Sequence, residues 1–466
     1  LDLLGDPSPH VRLDLGTLAE VVEVTDSAEL VQTSTSGNFG NVFNDRVIRD
    51  LPIVGTRGRN PLSLVTRQPG VVSGPTTGGE IHVNGARDRA WNFTVDGVDS
   101  NESSAGGSNF SPIRTNPDML QEFKVVTSNA TAEYGRNSGG QVSMVTKSGT
   151  NDIHGTAFWL YRTPSLNANE WANNIDNIGK RQFVQNIPGG SIGGPAIKNK
   201  LFYYANLQVL RARESQSTTR TVYTADARTG LWRYVKGGGR NQPAGVAEAS
   251  VDAQGNVLPG INVGAYNIVA NDPQRLGLDP RIKALTDLTP LPNNFTVGDG
   301  LNTAGYTFAA LQLEKQYDAT VRADYIVNGK NTVFGRMMWG RQDTTCDRGN
   351  GGSEWFPGMG CVVNTKRDPK NLAINWRTSP SATTTNEFVF GINRFAFNFD
   401  VPNADVNAIQ LDASQADSSL PVLPETVAYG NLRRINTYQF VDNFSWFKGA
   451  HSFKFGTNLR LQSHTD

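Results

Sequence analysis

The sequence predicts a mainly β protein in which a small α+β unit is followed by antiparallel strands of a transmembrane β-barrel. Three observations carry that expectation. Beyond residue 152 apolar and polar residues alternate, most clearly Tyr317, Ala319, Val321, Ala323 and Tyr325 against Gln316, Asp318, Thr320, Arg322 and Asp324. A period of two belongs to a strand with one face in an apolar medium. The connections between these segments alternate long and short, as where a membrane barrel has tight turns on one side and extended loops on the other. Trp159, Tyr161, Trp339, Trp376, Phe444 and Trp446 fall near strand ends, where girdle residues cross the membrane interfaces.

Bulk composition excludes several classes. Lysine plus arginine and aspartate plus glutamate number 43 each in 466 residues, so no basic excess advertises nucleic-acid binding. Hydrophobic content is 38%. No uninterrupted apolar run reaches the roughly 18 residues of a transmembrane helix, whereas a barrel strand exposes only alternate residues to lipid and keeps mean hydropathy low. The chain opens at Leu1 without a basic or apolar leader, so an export signal is expected to lie outside it.

Taken in order, Val11 to Val24 alternate loosely and read as the last strands of a small β-domain. Asp26 to Asn44, rich in Ser, Thr, Gly and Asn, reads as linker. Val47, Ile48 and Leu51 form an amphipathic piece. A short helix is expected over Pro61 to Thr66, with Asn60 as cap and Pro61 in the first turn. Ile81 to Gly85 and Asn92 to Gly97 are short strands closed by Asn-Gly and Asp-Gly turns. Asn101 to Pro112 is a loop. Asn116 caps a turn started by Pro117, and strands follow at Phe123 to Thr127 and Val142 to Thr146.

Nine longer strands are expected near 153–163, 182–194, 200–212, 312–327, 332–344, 369–379, 384–399, 435–447 and 451–464. Long connections follow the odd-numbered ones. Arg394 and Asp442 fall in lipid-facing phase, where a midplane arginine costs about 2–4 kcal/mol. They are therefore expected beyond the hydrocarbon, unless a bulge near Asn393 changes the phase. Cys346 and Cys361 share one long connection and read as a disulfide in an oxidising compartment, with two free thiols as the alternative.

The stretch Asn116 to Phe158 resembles the plug domain of TonB-dependent outer-membrane receptors. The residues that carry this are Gln121-Glu122-Phe123-Lys124-Val125, Ala132, Tyr134-Gly135, Gly139-Gly140, Val142 to Val145 and Thr146-Lys147. Thr127-Ser128-Asn129 stands where many members have Arg-Gly-Pro. That variant, with Ala132 to Arg136 and Ser148-Gly149-Thr150-Asn151, resembles the Oar-like branch, which usually carries an N-terminal carboxypeptidase-regulatory-like domain. The resemblance implies three parts: residues 1–30 as the end of such a domain or a TonB-box segment, 31–150 as the plug, and 151–466 as the N-terminal portion of the barrel. Nine strands against the roughly twenty-two of the family barrel imply a piece of a larger receptor.

Glu20, Val21, Val22, Glu23, Val24 and Thr25 then admit two readings, the last strand of the preceding domain or a TonB box that adds a strand to the periplasmic energy-coupling protein. The loop containing Asn101, Ser108, Asn109 and Phe110 is the candidate ligand-facing apex of the plug. Small residues at Gly189-Gly190-Ser191-Ile192-Gly193-Gly194 make room for the plug, since no Lys-Ser or Lys-Thr follows to complete a phosphate loop.

Bond chemistry has little support. The five histidines are scattered, no nucleophile elbow or His-Glu-x-x-His occurs, and Asp96, Asp99 and Asn101 lack calcium-loop spacing. No cofactor and no enzyme activity are expected. The resemblance implies a Gram-negative outer-membrane receptor that binds a scarce extracellular ligand, a siderophore, carbohydrate or peptide. Its partners would be the TonB-ExbB-ExbD complex and outer-membrane lipid, with no nucleic acid. The alternative on the same fold is an Oar-like surface adhesion or protein-export component.

Overall fold

The computed structural model describes residues 39–51, 59–73, 81–87, 90–101, 115–130, 134–135, 139–169, 171, 174, 180, 182–237, 241–246, 248–350, 352–400 and 431–465. The candidate TonB box at Glu20 to Thr25 and the loop residues Ser108, Asn109 and Phe110 lie outside them.

The first unit is built on a five-stranded sheet. Its strands are β1 (Phe39–Asn44), β4 (Asn92–Val95), β5 (Val98–Asp99), β6 (Leu120–Ser128) and β7 (Gln141–Thr146), in the order β1-β6-β7-β4-β5. Only the β4–β7 pair is parallel. The Asp-Gly turn between β4 and β5 has φ of 48° at Asp96 and 78° at Gly97, the left-handed pair that a two-residue hairpin needs. Asn60 and Asn116 cap the two-turn 3-10 helix Pro61–Arg67 and the single turn Pro117–Met119 through their side chains, as their Asn-Pro sequence implies.

One expectation is corrected here. Part of the supposed linker is β1, an edge strand paired antiparallel to β6 and followed by the short helix α1 (Asp45–Asp50). Ile81–Val83 (β3) stays out of the main sheet and pairs with β2 (Val71–Ser73). Around these elements Ile48, Leu62, Leu64, Trp91, Phe93, Phe123 and Met144 form a core with essentially no exposure. Each such side chain contributes about 1.5–3 kcal/mol through burial.

The second unit is one sheet of consecutive antiparallel neighbours. It begins with β8 (His154–Arg162), β9 (Gln182–Ile197) and β10 (Leu201–Tyr223). Two strands, β11 (Leu231–Val235) and β12 (Val263–Asn267), pair apart from it. It continues through β13 (Thr303–Asn328), β14 (Asn331–Thr345), β15 (Asn364–Arg367), β16 (Lys370–Ser381), β17 (Thr384–Asp400), β18 (Asn431–Lys448) and β19 (His451–Thr465). The sheet is open, with β8 and β19 at its edges. All nine expected strands are present, with the expected parity of long and short connections.

Their lengths differ from the sequence reading in two places. The strand expected at 369–379 runs unbroken over Lys370–Ser381 but has a forerunner, β15, from which it is separated at Asp368-Pro369, where the proline has no N–H to donate. β10 and β13 pair without a break from Leu201↔Tyr325 to Tyr223↔Thr303, far beyond the roughly 9–11 residues that cross a bilayer. Their outer half is therefore a ribbon standing clear of the membrane. It carries an insertion made of the single-turn helix α2 (Ala225–Arg228), the β11–β12 hairpin and α3 (Pro280–Leu288). Its own core joins Val222, Phe308 and Ala310 to Trp355 and Phe356 of the loop between β14 and β15. In that loop Cys346 and Cys361 are joined by a disulfide, with Cα atoms 4.9 Å apart.

Register settles the two charges in lipid-facing phase. Pairing of β17 runs unbroken through Asn393, so no bulge reverses the phase. Arg394 lies across from Lys370 and Asn436, past the apolar Phe390 and Ile392. Asp442 sits between Phe440 and Phe444 on the outward face, where the Asn386 amide donates to it at 2.8 Å.

Candidate functional site: the seat of the first unit against the strand wall

The inward positions of the large sheet meet the small unit along one continuous surface. Asp96, at the tip of the β4–β5 turn, is the centre of it. Its carboxylate accepts from the backbone N and hydroxyl of Thr146 at 2.9 and 2.8 Å, which orients it toward the wall. There Arg336 of β14 meets it at 2.9 Å and Arg322 of β13 at 3.6 Å. The Arg336 side chain is completely buried. It spends its remaining donors on the Val95 carbonyl at 3.0 Å and on Asn371. Arg322 is braced by Asp324, donates to the Thr146 carbonyl at 3.0 Å and lies 4.1 Å from the centroid of the Phe334 ring.

Flanking contacts repeat the theme of polar groups satisfied across the seam. Asp99 pairs with Arg460 of β19 at 3.1 Å, and its backbone N donates to Gln439 of β18 at 2.7 Å. On the other flank the Tyr204 hydroxyl donates to the Asp118 carbonyl at 2.8 Å, and the Asn116 amide to Asn206 at 2.9 Å. Arg59 pairs with Asp118 while its guanidinium covers the Phe158 ring of β8. Apolar contact is local: Val98 against Ala373 and Val389, and Tyr204 and Met338 at the margin of the core. A Cβ on Gly391 would stand 2.6 Å from Val98, so only glycine fits there. Gly189 likewise leaves space for the Phe158 ring, but that ring belongs to the neighbouring wall strand β8 and not to the plug, for which the small residues of β9 were expected to make room.

An isolated buried charge is unstable, and the wholly buried Arg336 is compensated by Asp96, while Arg322 is shared between Asp96 and Asp324. The seam is thus held by directional polar bonds whose partners can be rehydrated on separation, alongside the local apolar contacts.

The site residues named from sequence fare unequally. Asn101 is 5% exposed and buried behind the seam, with its oxygen accepting from the Phe93 backbone N and its amide donating to Asp99. It is a structural residue of the turn and does not present itself to a ligand. Asp96 and Asp99, read as turn residues, are the ones that face arginines. Arg322, Arg336, Gln439 and Arg460 were missed. Charged residues in the inward phase of barrel strands were the available signal, but nothing in the strand pattern names their partners.

A small α+β unit seated inside a wall of antiparallel membrane strands defines a plugged outer-membrane barrel. The family described as "TonB-dependent Receptor Plug Domain" matches residues 46–142, and "Outer membrane beta barrel domain" matches residues 145–466. The chain belongs to this family of TonB-dependent receptors of the Gram-negative outer membrane.

Among characterised proteins it is similar to the TonB-dependent transporter Oar of Myxococcus xanthus, 26% identical over 219 residues, which is 46% of this chain and 20% of Oar. Among solved structures it is similar in fold to the siderophore receptor PirA of Acinetobacter baumannii (14% identity, TM-score 0.52, 92% of this chain and 48% of that one). It is also similar to the outer-membrane transporter YddB of Escherichia coli (11% identity, TM-score 0.53, 91% and 48%). The chain spans about half the length of these receptors. The families matched are those of receptors and not of enzymes.

Proposed function

We propose that this chain is the plug and part of the barrel of a receptor that binds a scarce extracellular ligand and admits it to the periplasm. The plug is displaced when the TonB-ExbB-ExbD complex pulls on its N-terminal side. The observation that carries this reading is the polar, ion-paired seam centred on Asp96, Arg322 and Arg336, which makes the plug a separable stopper. Glu20 to Thr25, ahead of the plug in the chain, is the proposed TonB-binding segment. The ligand class is a siderophore, a carbohydrate or a peptide.

A second reading, surface adhesion or protein export on the same fold, is favoured by the long β10–β13 ribbon and its folded insertion, which present a large structured surface outside the membrane. Ligand-dependent growth of a strain lacking the gene, complemented with and without a functional TonB, separates the two. Restoration that requires TonB supports uptake. Restoration of cell adhesion or of secreted protein, with nutrient uptake unchanged, rejects it in favour of the second reading.

A further inference from the structure

The external ribbon leaves one of its edges open. β9 accompanies β10 only as far as the pair Ser215↔Gln182, whereas β13 accompanies it to Tyr223. From Gln216 to Val222, β10 therefore has a strand on one side and, among the described residues, none on the other. Which backbone groups face the open side follows from the ladder. The Leu207 carbonyl points toward β9, beside Gly189, and pairing with β13 runs without a register shift from there to Tyr223. Every second residue then turns its N–H and C=O the same way, so Ser217, Thr219 and Thr221 direct theirs away from β13. Ser217 and Thr219 are exposed, and no hydrogen bond among the described residues takes up these backbone groups.

Open strands are usually blunted by proline, lysine or a bulge. Gln216-Ser217-Thr218-Thr219-Arg220-Thr221-Val222 has none of these. The strand is already fixed in extended form, by β13 along its other edge and by the disulfide loop, where Val222 joins Trp355 and Phe356. Little further ordering is then needed to receive a partner strand. Arg220 indicates what that partner carries. The half-buried guanidinium donates to the Ser353 hydroxyl and the Glu354 carbonyl, both at 2.7 Å, and lies 5.6 Å from the centroid of the Trp355 ring. These are neutral contacts. Among the described residues no carboxylate lies within ion-pair distance, and burial lowers its pKa with no charge to offset it. A residue directly opposite on an added strand would stand about 5 Å away, where an acidic side chain reaches the guanidinium. A second copy of the same edge would bring another Arg220 to this place and be repelled.

We propose that the open edge of β10, Gln216 to Val222, binds an extended acidic peptide by strand addition. Main-chain bonds form at Ser217, Thr219 and Thr221, and a glutamate or aspartate of the peptide pairs with Arg220. Peptide residues opposite Ser217 and Thr219 share the face of those hydroxyl side chains, which favours threonine there. The inference depends neither on what the receptor transports nor on TonB, because the peptide binds the resting receptor from outside.

The test uses the full-length receptor in detergent and the labelled peptide Thr-Val-Thr-Glu-Thr-Val-Thr, capped at both ends, with fluorescence anisotropy as the readout. It is expected to bind at least roughly tenfold more tightly than the same peptide with glutamine for glutamate. A version with proline at the two threonines flanking the glutamate lacks their backbone donors and should not bind. Arg220→Gln should erase the preference for glutamate. Thr219→Pro removes an N–H that faces away from β13, a change tolerated at an edge, and should abolish binding. Hydrogen exchange at Ser217, Thr219 and Thr221 should slow when the glutamate peptide is added. Equal binding of the glutamate and glutamine peptides, or undiminished binding of the proline peptide, overturns the proposal, and neither result needs a variant to fold. Absence of binding up to about 1 mM peptide also overturns it. So does protection of those three amides in the free receptor: with a concentration-dependent dimer in light scattering it assigns the edge to a second copy, and without one to a segment of the receptor itself.

Discussion

At the scale of single residues the seam depends on one carboxylate. Replacing Asp96 by Asn keeps the shape of the turn but removes the counter-charge from Arg336, whose side chain is wholly buried. Breaking such a pair costs about 3–5 kcal/mol. The Asp96→Asn protein should therefore lose its plug to limited proteolysis more readily and pass more current in planar bilayers. Combining it with Arg336→Met should recover part of the loss, since an unpaired buried charge no longer remains. A single variant as resistant as the unaltered protein would show that the seam does not rest on this pair.

A second carboxylate gives a pH dependence outside the membrane. Asp299 lies at the outer end of the external ribbon, where the insertion joins it and where burial raises its pKa. Donors from Thr303, Asn302 and Asn241 outweigh that effect and hold the group below its ordinary value of 3.8. With the folded value depressed, the group contributes stability that is complete above the unfolded value and is lost as pH falls through the folded one. Melting of the insertion, followed by tryptophan fluorescence, should weaken below about pH 4. Asp299→Asn should flatten that dependence. An unchanged acid profile in the variant would assign the weakening to other groups.

At the scale of elements, β17 and the β4–β5 hairpin approach more closely than any side chain on Gly391 allows. Gly391→Ala should push Val98 out of its place against Ala373 and Val389, at a cost of about 1–3 kcal/mol from overpacking. Val98→Ala in the same protein should relieve much of it. Thermal melts of the two single variants and the double variant form the cycle, and strictly additive losses would mean that the two positions do not touch in solution. The external ribbon is an element of the same kind, held by long-range pairing. Arg220 donates to the Glu354 carbonyl at 2.7 Å and lies over Trp355, so the disulfide loop packs on a strand far from it in sequence.

At the scale of the whole molecule the proposed coupling segment is the part most directly open to test. A strand added to a partner's sheet is held by main-chain bonds, so proline should disable it where ordinary side-chain changes do not. Val22→Pro or Val24→Pro in the full-length protein should abolish energised uptake and leave ligand binding intact. Pull-down with the TonB C-terminal domain, alongside a melting curve, reports the outcome. Undiminished capture with a lowered melting temperature would assign Glu20 to Thr25 to the preceding domain.

What the sequence determined by itself was everything governed by local periodicity and turn chemistry. The nine strands, their up-and-down order and the Asn60, Asn116 and Asp96-Gly97 features are dictated by neighbours within a few residues. Where a strand is held by distant partners, local pattern was insufficient. Phe39–Asn44 has linker composition and is a strand because β6 offers it an edge, and β10 and β13 outrun their alternation because each completes the other's backbone bonds. The seam was the least legible. Asp96 with Arg336, and Asp99 with Arg460, lie hundreds of residues apart, and a charge in inward phase does not name its counter-charge. Only the folding of one unit against the other brings them together, because desolvating either charge is tolerable only when its partner arrives in the same place.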